Sequence, residues 1–222
     1  MSNGVSEETH AKIAVEKLTA DILAGTLAPG HKLKIDELKL RYVTGASPLR
    51  EALARLTSLG FVTNESHRGF RVAPMSQADL ADITHVRQLI EADLLREAIA
   101  KGGDDWEVGI ISAFARLRRV VARALAGEGS FIAEIEPVHK QFHAALIGGS
   151  RSARLLRMQD LLFDQAQRYR HQMLQVVHNL DEFLETHEVL MDLALSRDAE
   201  RALPALCEHI AITPRQIYPE AI

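Results

Sequence analysis

The chain has 222 residues, is 47% hydrophobic and 25% charged, and carries a formal net charge of −4, an ordinary balance for one large or two small globular domains. No apolar run approaches the ~18 residues of a membrane span, and aromatic residues at 5% are too scarce for a protein that stacks on single strands. A lone cysteine, Cys207, excludes an internal disulfide, and the polar stretch Met1 to His10 lacks the basic and apolar regions of a signal peptide, so the expected location is a reducing cytoplasm.

Charge is unevenly placed. Residues 1–75 hold ten basic against eight acidic side chains, and residues 76–222 hold sixteen against twenty-two. A mildly basic head on an acidic body permits nucleic-acid binding in the first third.

Residues 8–25 read as a helix, with Ile13, Leu18, Ile22 and Leu23 on one side and Gly25 as its stop. A turn at Leu27 to Gly30 precedes a short strand at 32–34, and a second helix spans 36–42. The third helix follows a short loop. Ser47 is its expected cap, Pro48 suits the first helical position, and Gly60 suits the stop. Leu49, Leu53, Leu56 and Leu59 form its apolar stripe, which leaves Arg50 and Arg55 to face solvent or a partner. Residues 61–63 and 70–72 then alternate across the polar turn 64–69, which reads as a hairpin.

Helix, helix, turn, helix and hairpin together make a winged helix-turn-helix. Its last helix enters the major groove and reads base edges with its first residues. Ser47 and Arg50 occupy that end, and His67, Arg68 and Gly69 form the tip of the hairpin, where glycine permits close approach to DNA.

From Ser76 onward every segment reads helical, over roughly 77–101, 104–126, 130–148, 151–178, 180–196 and 198–212. Asp181 and Asp198 suit helix starts. The expected fold class is therefore mainly α, with a DNA-binding winged helix-turn-helix over 1–75 and an all-helical bundle over 76–222 that is large enough to bury its own core.

The ten histidines concentrate chemistry in the second domain. His139 and His143 sit one helical turn apart, a spacing that chelates one transition metal through two imidazoles or simply packs two rings. His187 and His209 lie on later helices. His10, His31, His85, His171 and His178 read as ordinary surface or pocket-rim residues, and Trp106 and Cys207 as packing. Arg87, facing inward, is placed either to fork onto a carboxylate ligand or to pair with Glu91 on the next turn. Arg168, Tyr169 and Arg170 form a second polar cluster, and Arg168 is taken as a ligand-binding residue.

Residues 11–73 resemble the DNA-binding domain of the GntR family of bacterial transcription regulators. The resemblance rests on Gly25-Thr26-Leu27-Ala28-Pro29-Gly30, Pro48-Leu49-Arg50-Glu51-Ala52-Leu53, Gly60-Phe61-Val62 and Gly69-Phe70-Arg71-Val72. It implies DNA contacts from Ser47, Arg50 and Gly69. Ala46 stands where an arginine is common, and Asp36 where a basic residue is common. The helical domain resembles the FadR-type sensing domain of the same family, which implies a metal held by His139, His143, His187 and His209. His139 replaces the family's usual aspartate. Four neutral imidazoles favour Zn²⁺ or Ni²⁺ over Mg²⁺ or Ca²⁺.

The resemblance further implies a cytoplasmic homodimeric repressor on a palindromic operator, released by a small carboxylate and without membrane association. Further shared phrases narrow it to a subgroup in which that effector is a small dicarboxylate. The rival reading is a metal-dependent hydrolase using the histidine cluster. The chain contains no HExxH, no Gly-rich phosphate loop and no nucleophile motif to support it.

Overall fold

A computed structural model of the chain describes residues 3–65, 69–127, 131–174 and 179–219. Two compact units result, Met1–Ser76 and Gln77–Ile222.

The first unit runs α1 (Asn3–Leu23), β1 (Lys32–Leu33), α2 (Ile35–Tyr42), α3 (Ala46–Ser58), β2 (Val62–Glu65) and β3 (Gly69–Val72). The strands form an antiparallel sheet in the order β1-β3-β2. Among the described residues of α1, Ala11, Ala14, Leu18 and Ile22 are buried, at spacings of three and four that keep one face inward. Ile13, expected on that stripe, is 41% exposed. It lies about 140° around the helix from Leu18, at ~100° per residue.

Leu49, Leu53 and Leu56 on α3 are fully buried against α1, the sheet and α2. The cap of α3 differs from expectation. Gly45 in extended conformation, not Ser47, precedes the helix, and no side chain caps it. Ser47 and Pro48 therefore lie inside the first turn. Proline is tolerated there because the first N–H groups of a helix have no intrahelical acceptor. At the other end Phe61 N–H reaches Leu56 O at 3.0 Å and Gly60 N–H reaches Thr57 O at 3.1 Å, with Gly60 at φ 76°. That is the Schellman stop, and it requires a residue at ease in the left-handed region.

Asp21 of α1 fastens α2 by accepting from Tyr42 Oη at 2.6 Å and from Arg41 Nη2 at 2.7 Å. The turn between α2 and α3 passes through Val43 at φ 51°.

The second unit comprises α4 (Gln77–Lys101), α5 (Asp104–Leu125), α6 (Phe131–Ile147), α7 (Ala153–Leu174), α8 (Leu180–Leu195) and α9 (Ala199–Ile217). α5 packs along α6, α4 against α9 and α7, and α8 against α5 and α9. Leu94, Ala98, Ile110, Leu117, Phe142, Leu146, Leu190, Leu206 and Ile210 form the shared core. Trp106 is packing, as expected: its ring is buried and its Nε1 donates to Leu146 O at 3.0 Å. Asp198 caps α9 through the Arg201 N–H, whereas α8 is capped by Asn179 rather than by Asp181, which lies in the first turn. α9 continues past the expected end near 212 and through Pro214 to Ile217, with Ile210 and Thr213 buried. Among the described residues no helix is long and apolar enough to cross a membrane.

A β-branched residue at positive φ carries strain of about 1 kcal/mol. The side chain of Val43 is almost wholly exposed, so replacing it forfeits little burial. Val43→Asn is expected to raise the urea midpoint of the first unit at unchanged slope, and a lowered midpoint would contradict the strain.

Candidate functional site

α6 turns His139 and His143 toward the interior, where α8 adds His187 and α9 adds His209. One nitrogen from each of the four rings lies within 4.8 Å of the others. His143 Nε2 stands 3.0 Å from His139 Nε2 and 3.3 Å from His209 Nε2. These spacings match the ~3.3 Å edge of a tetrahedron of nitrogens about 2.05 Å from one ion. His139, His143 and His187 are buried, and Phe142, Phe163 and Phe183 pack against the rings.

The tautomer of His187 follows from its surroundings. Its Nδ1 lies 2.5 Å from Phe183 O. A carbonyl only accepts, so Nδ1 carries the proton and Nε2 presents a bare lone pair. That Nε2 is buried and has no hydrogen-bond partner. Burial holds all four rings neutral. It lowers His187 to about 4. It also pushes His139, His143 and His209 well below their ordinary value, with the neighbouring imidazoles and the guanidinium of Arg170 adding to the effect. Convergent neutral imidazoles with an orphaned lone pair are a donor set suited to a divalent transition metal.

Two buried ion pairs border the cluster. Arg87 Nε donates to Glu91 Oε1 at 2.7 Å within α4. Arg170 of α7 forks onto Glu136 of α6 at 3.1 and 3.0 Å. Both guanidinium groups also lie over the Phe163 ring. A cavity of about 350 Å³ opens beside the histidines. His139, His187, His209 and Arg170 line it, with Phe183 and Ile212 as apolar wall and Thr186, Thr213 and Gln216 as polar wall. Arg170 Nη1 is buried without a hydrogen-bond partner.

Arg87 is engaged by Glu91, and neither Arg87 nor Arg168 is among the residues that line this cavity. Arg168 is buried and feels the charge of Asp79. Arg170 lines the cavity where Arg168 does not, because two residues along a helix turn a side chain by about 200°. Arg168, Tyr169 and Arg170 are all buried, so burial along α7 does not single out Arg170; its place on the cavity follows from how α7 packs.

In the first unit Ser47, Arg50 and Arg55 are exposed on α3. Gly69 opens β3 at φ 81°, and a Cβ added there would meet nothing within 4 Å. Its glycine is thus a backbone requirement and also leaves space before the chain. Arg68 and His67 lie outside the described residues.

Comparison with known proteins agrees with both units. Residues 82–211 match the FCD domain, and residues 11–72 match the bacterial regulatory proteins of the gntR family. The HTH-type transcriptional repressor GlaR of Escherichia coli K12 is 36% identical over 209 residues, covering 92% of this chain and 94% of that protein. The uncharacterized regulator BphR of Paraburkholderia xenovorans is 36% identical over 197 residues, covering 88% and 80%. In fold, E. coli McbR/YncC superposes with a TM-score of 0.80 at 20% identity, covering 96% of this chain and 99% of that one. The chain belongs to the gntR family of bacterial regulatory proteins, in the branch that carries an FCD domain. It is a DNA-binding transcription regulator and not an enzyme, and the hydrolase reading of the histidines is set aside.

Neutral burial of the imidazoles has a pH signature. Below about pH 6.5 an unfolded chain protonates its histidines, while folded His187 stays neutral down to about 4. The unfolded state therefore binds more protons across that window. The metal-free protein has its full stability above about pH 6.5 and loses it as pH falls toward 4. Urea unfolding of chelator-treated protein across this range measures the loss, and a flat profile would argue against neutral burial.

Proposed function

We propose that this regulator is a homodimeric repressor that binds a palindromic operator and is released by a small carboxylate held in the helical domain. The observation that carries the reading is the joint lining of one cavity by three of the four clustered histidines and by Arg170, with its unpaired Nη1. An anion is the ligand class such a lining recognises: a guanidinium N–H donates to a carboxylate oxygen, and its burial strengthens the bond. His139, His143, His187 and His209 hold a divalent ion, with Zn²⁺ or Ni²⁺ preferred by an all-imidazole set. When bound, that ion supplies positive charge that four neutral ligands leave uncompensated. Arg170 orients the effector, Phe183 and Ile212 exclude water beside it, and Thr186, Thr213 and Gln216 select its polar end.

The path toward DNA begins one residue from Arg170. Tyr169 Oη donates to Asp79 Oδ2 at 2.6 Å. Asp79 lies in the first turn of α4, three residues past Ser76 in the chain. Effector binding changes operator affinity only as far as it favours one state of such a contact over another. On the DNA side Ser47, Arg50, Arg68 and Gly69 are the residues assigned to operator contact. Two-fold symmetry of the protein matches the palindrome, one half-site to each head. The cytoplasm, where the operator lies, is the place of action.

Metal analysis of protein purified without added metal, followed by a thermal-shift series of mono- and dicarboxylates with and without chelator, tests the sensing half. Zn²⁺ or Ni²⁺ in the protein and a chelator-sensitive upward shift are expected, since binding to the native state stabilises it. Arg170→Gln should abolish the carboxylate shift and leave the metal content in place. No shift with any member of the series sinks the carboxylate assignment. For the DNA half, Arg50→Ala is expected to cost about 1–3 kcal/mol of operator affinity if Arg50 reads a base edge. Unchanged operator binding would remove α3 from its reading role.

A further inference from the structure

The buried pair of Arg87 and Glu91 lies within a single helix, four residues apart on α4. Both side chains are nearly inaccessible, at 5% and 1%. Taking two charges out of water at this depth is costly, and only good geometry offsets that cost. An ion pair that crosses between helices would also join two elements. The contact between Arg87 and Glu91 joins α4 only to itself. Its placement is explained by what the second carboxylate oxygen faces.

That oxygen, Oε2 of Glu91, lies 3.8 Å from Nδ1 of His143 on α6. His143 Nδ1 is buried and has no hydrogen-bond partner. The opposite nitrogen of the same ring, Nε2, is the one that meets His139 and His209. Glu91 thus stands behind the imidazole on the side away from the convergent nitrogens. The other buried carboxylate near the cluster is placed differently. Glu136 has both oxygens engaged by Arg170, and it stands 4.0 Å from His139 Nδ1. Arg87 uses only Oε1 of Glu91.

We infer that Glu91 is the positioning residue for the His143 ligand and that Arg87 is the clamp that orients Glu91; this rests on the metal-holding reading of the four histidines. The carboxylate favours the tautomer with the proton on Nδ1, which leaves the Nε2 lone pair aimed at the shared centre. At 3.8 Å the contact is electrostatic. A negative charge on that side of the ring raises the basicity of Nε2 as a ligand. Arg87 fixes the carboxylate in orientation through its contact with Oε1. Arg87 therefore acts two side chains away from the metal and does not touch the effector.

The test uses the full chain, stripped with chelator and titrated with Zn²⁺ against a chromophoric competitor, and with Co²⁺ for its visible d–d spectrum. Glu91→Gln is expected to weaken Zn²⁺ binding by about ten- to a hundredfold and to alter the Co²⁺ spectrum. Because Glu91→Gln leaves Arg87 buried without its carboxylate, the double variant Arg87→Met with Glu91→Leu is measured alongside it. This replaces both charges with apolar groups, an exchange that buried pairs tolerate. The same weakening is expected there. Glu97→Gln is the control. It removes a carboxylate that accepts from Ser150 and Lys101, far along α4 from the cluster, and should bind both metals as the parent does. A folded Glu91 variant with parental Zn²⁺ affinity and an unchanged Co²⁺ spectrum overturns the positioning role, even where its melting temperature falls. Failure of the parent protein itself to bind either ion overturns the metal centre, and the role of Glu91 with it.

Discussion

Four imidazoles share one buried space in the helical unit, close enough that no two can carry a proton at once without repulsion in a medium that screens poorly. Their neutrality comes from several sources. Phenylalanine rings exclude water, and the guanidinium groups of Arg87 and Arg170 oppose protonation of the nearest rings. Those two cations are in turn held by Glu91 and Glu136, and both lie against the same Phe163 ring. The result is a set of imidazoles held neutral, with their lone pairs available at one shared centre.

That arrangement constrains the helices around it. α6 must present His139 and His143 on one face while Phe142 and Leu146 enter the hydrophobic core. α8 and α9 must end their approach with His187 and His209 opposite. The continuation of α9 through Pro214 belongs to the same requirement, because it brings Thr213 and Gln216 to the cavity wall. A proline inside a helix costs a hydrogen bond, and the burial of Ile210 and Thr213 beside it favours continuing the helix.

The winged unit follows a simpler logic. The apolar face of α3 is consumed by α1 and the sheet, which leaves Ser47, Arg50 and Arg55 on the face turned outward. Gly60 and Gly69 have positive φ at the two places where the chain turns into and out of strands. Val43 has the same kind of backbone without the glycine, in the turn between the two helices of the motif.

Much of this was legible from the chain alone. The leucine stripe at 49, 53 and 56, the stop at Gly60, the hairpin after it and the run of helices from Gln77 all appear where local periodicity and turn chemistry placed them. Local rules succeed there because each element buries a face that its own sequence defines. The spacing of His139 and His143 likewise showed that two rings share a helix face. Other features had no local signature. Ser47 and Gly45 are both acceptable caps, and the start of α3 is decided by where Leu49 must enter the core. Arg168 and Arg170 are both buried arginines, and only the packing of α7 determines which one lines the cavity. The approach of Glu91 to His143, 52 positions further along the chain, depends on how α4 and α6 lie together. Sequence by itself determined the elements and their inward faces, since those follow from short-range periodicity. The tertiary structure decided which polar groups meet inside, because burial and direction at a shared point depend on several helices at once.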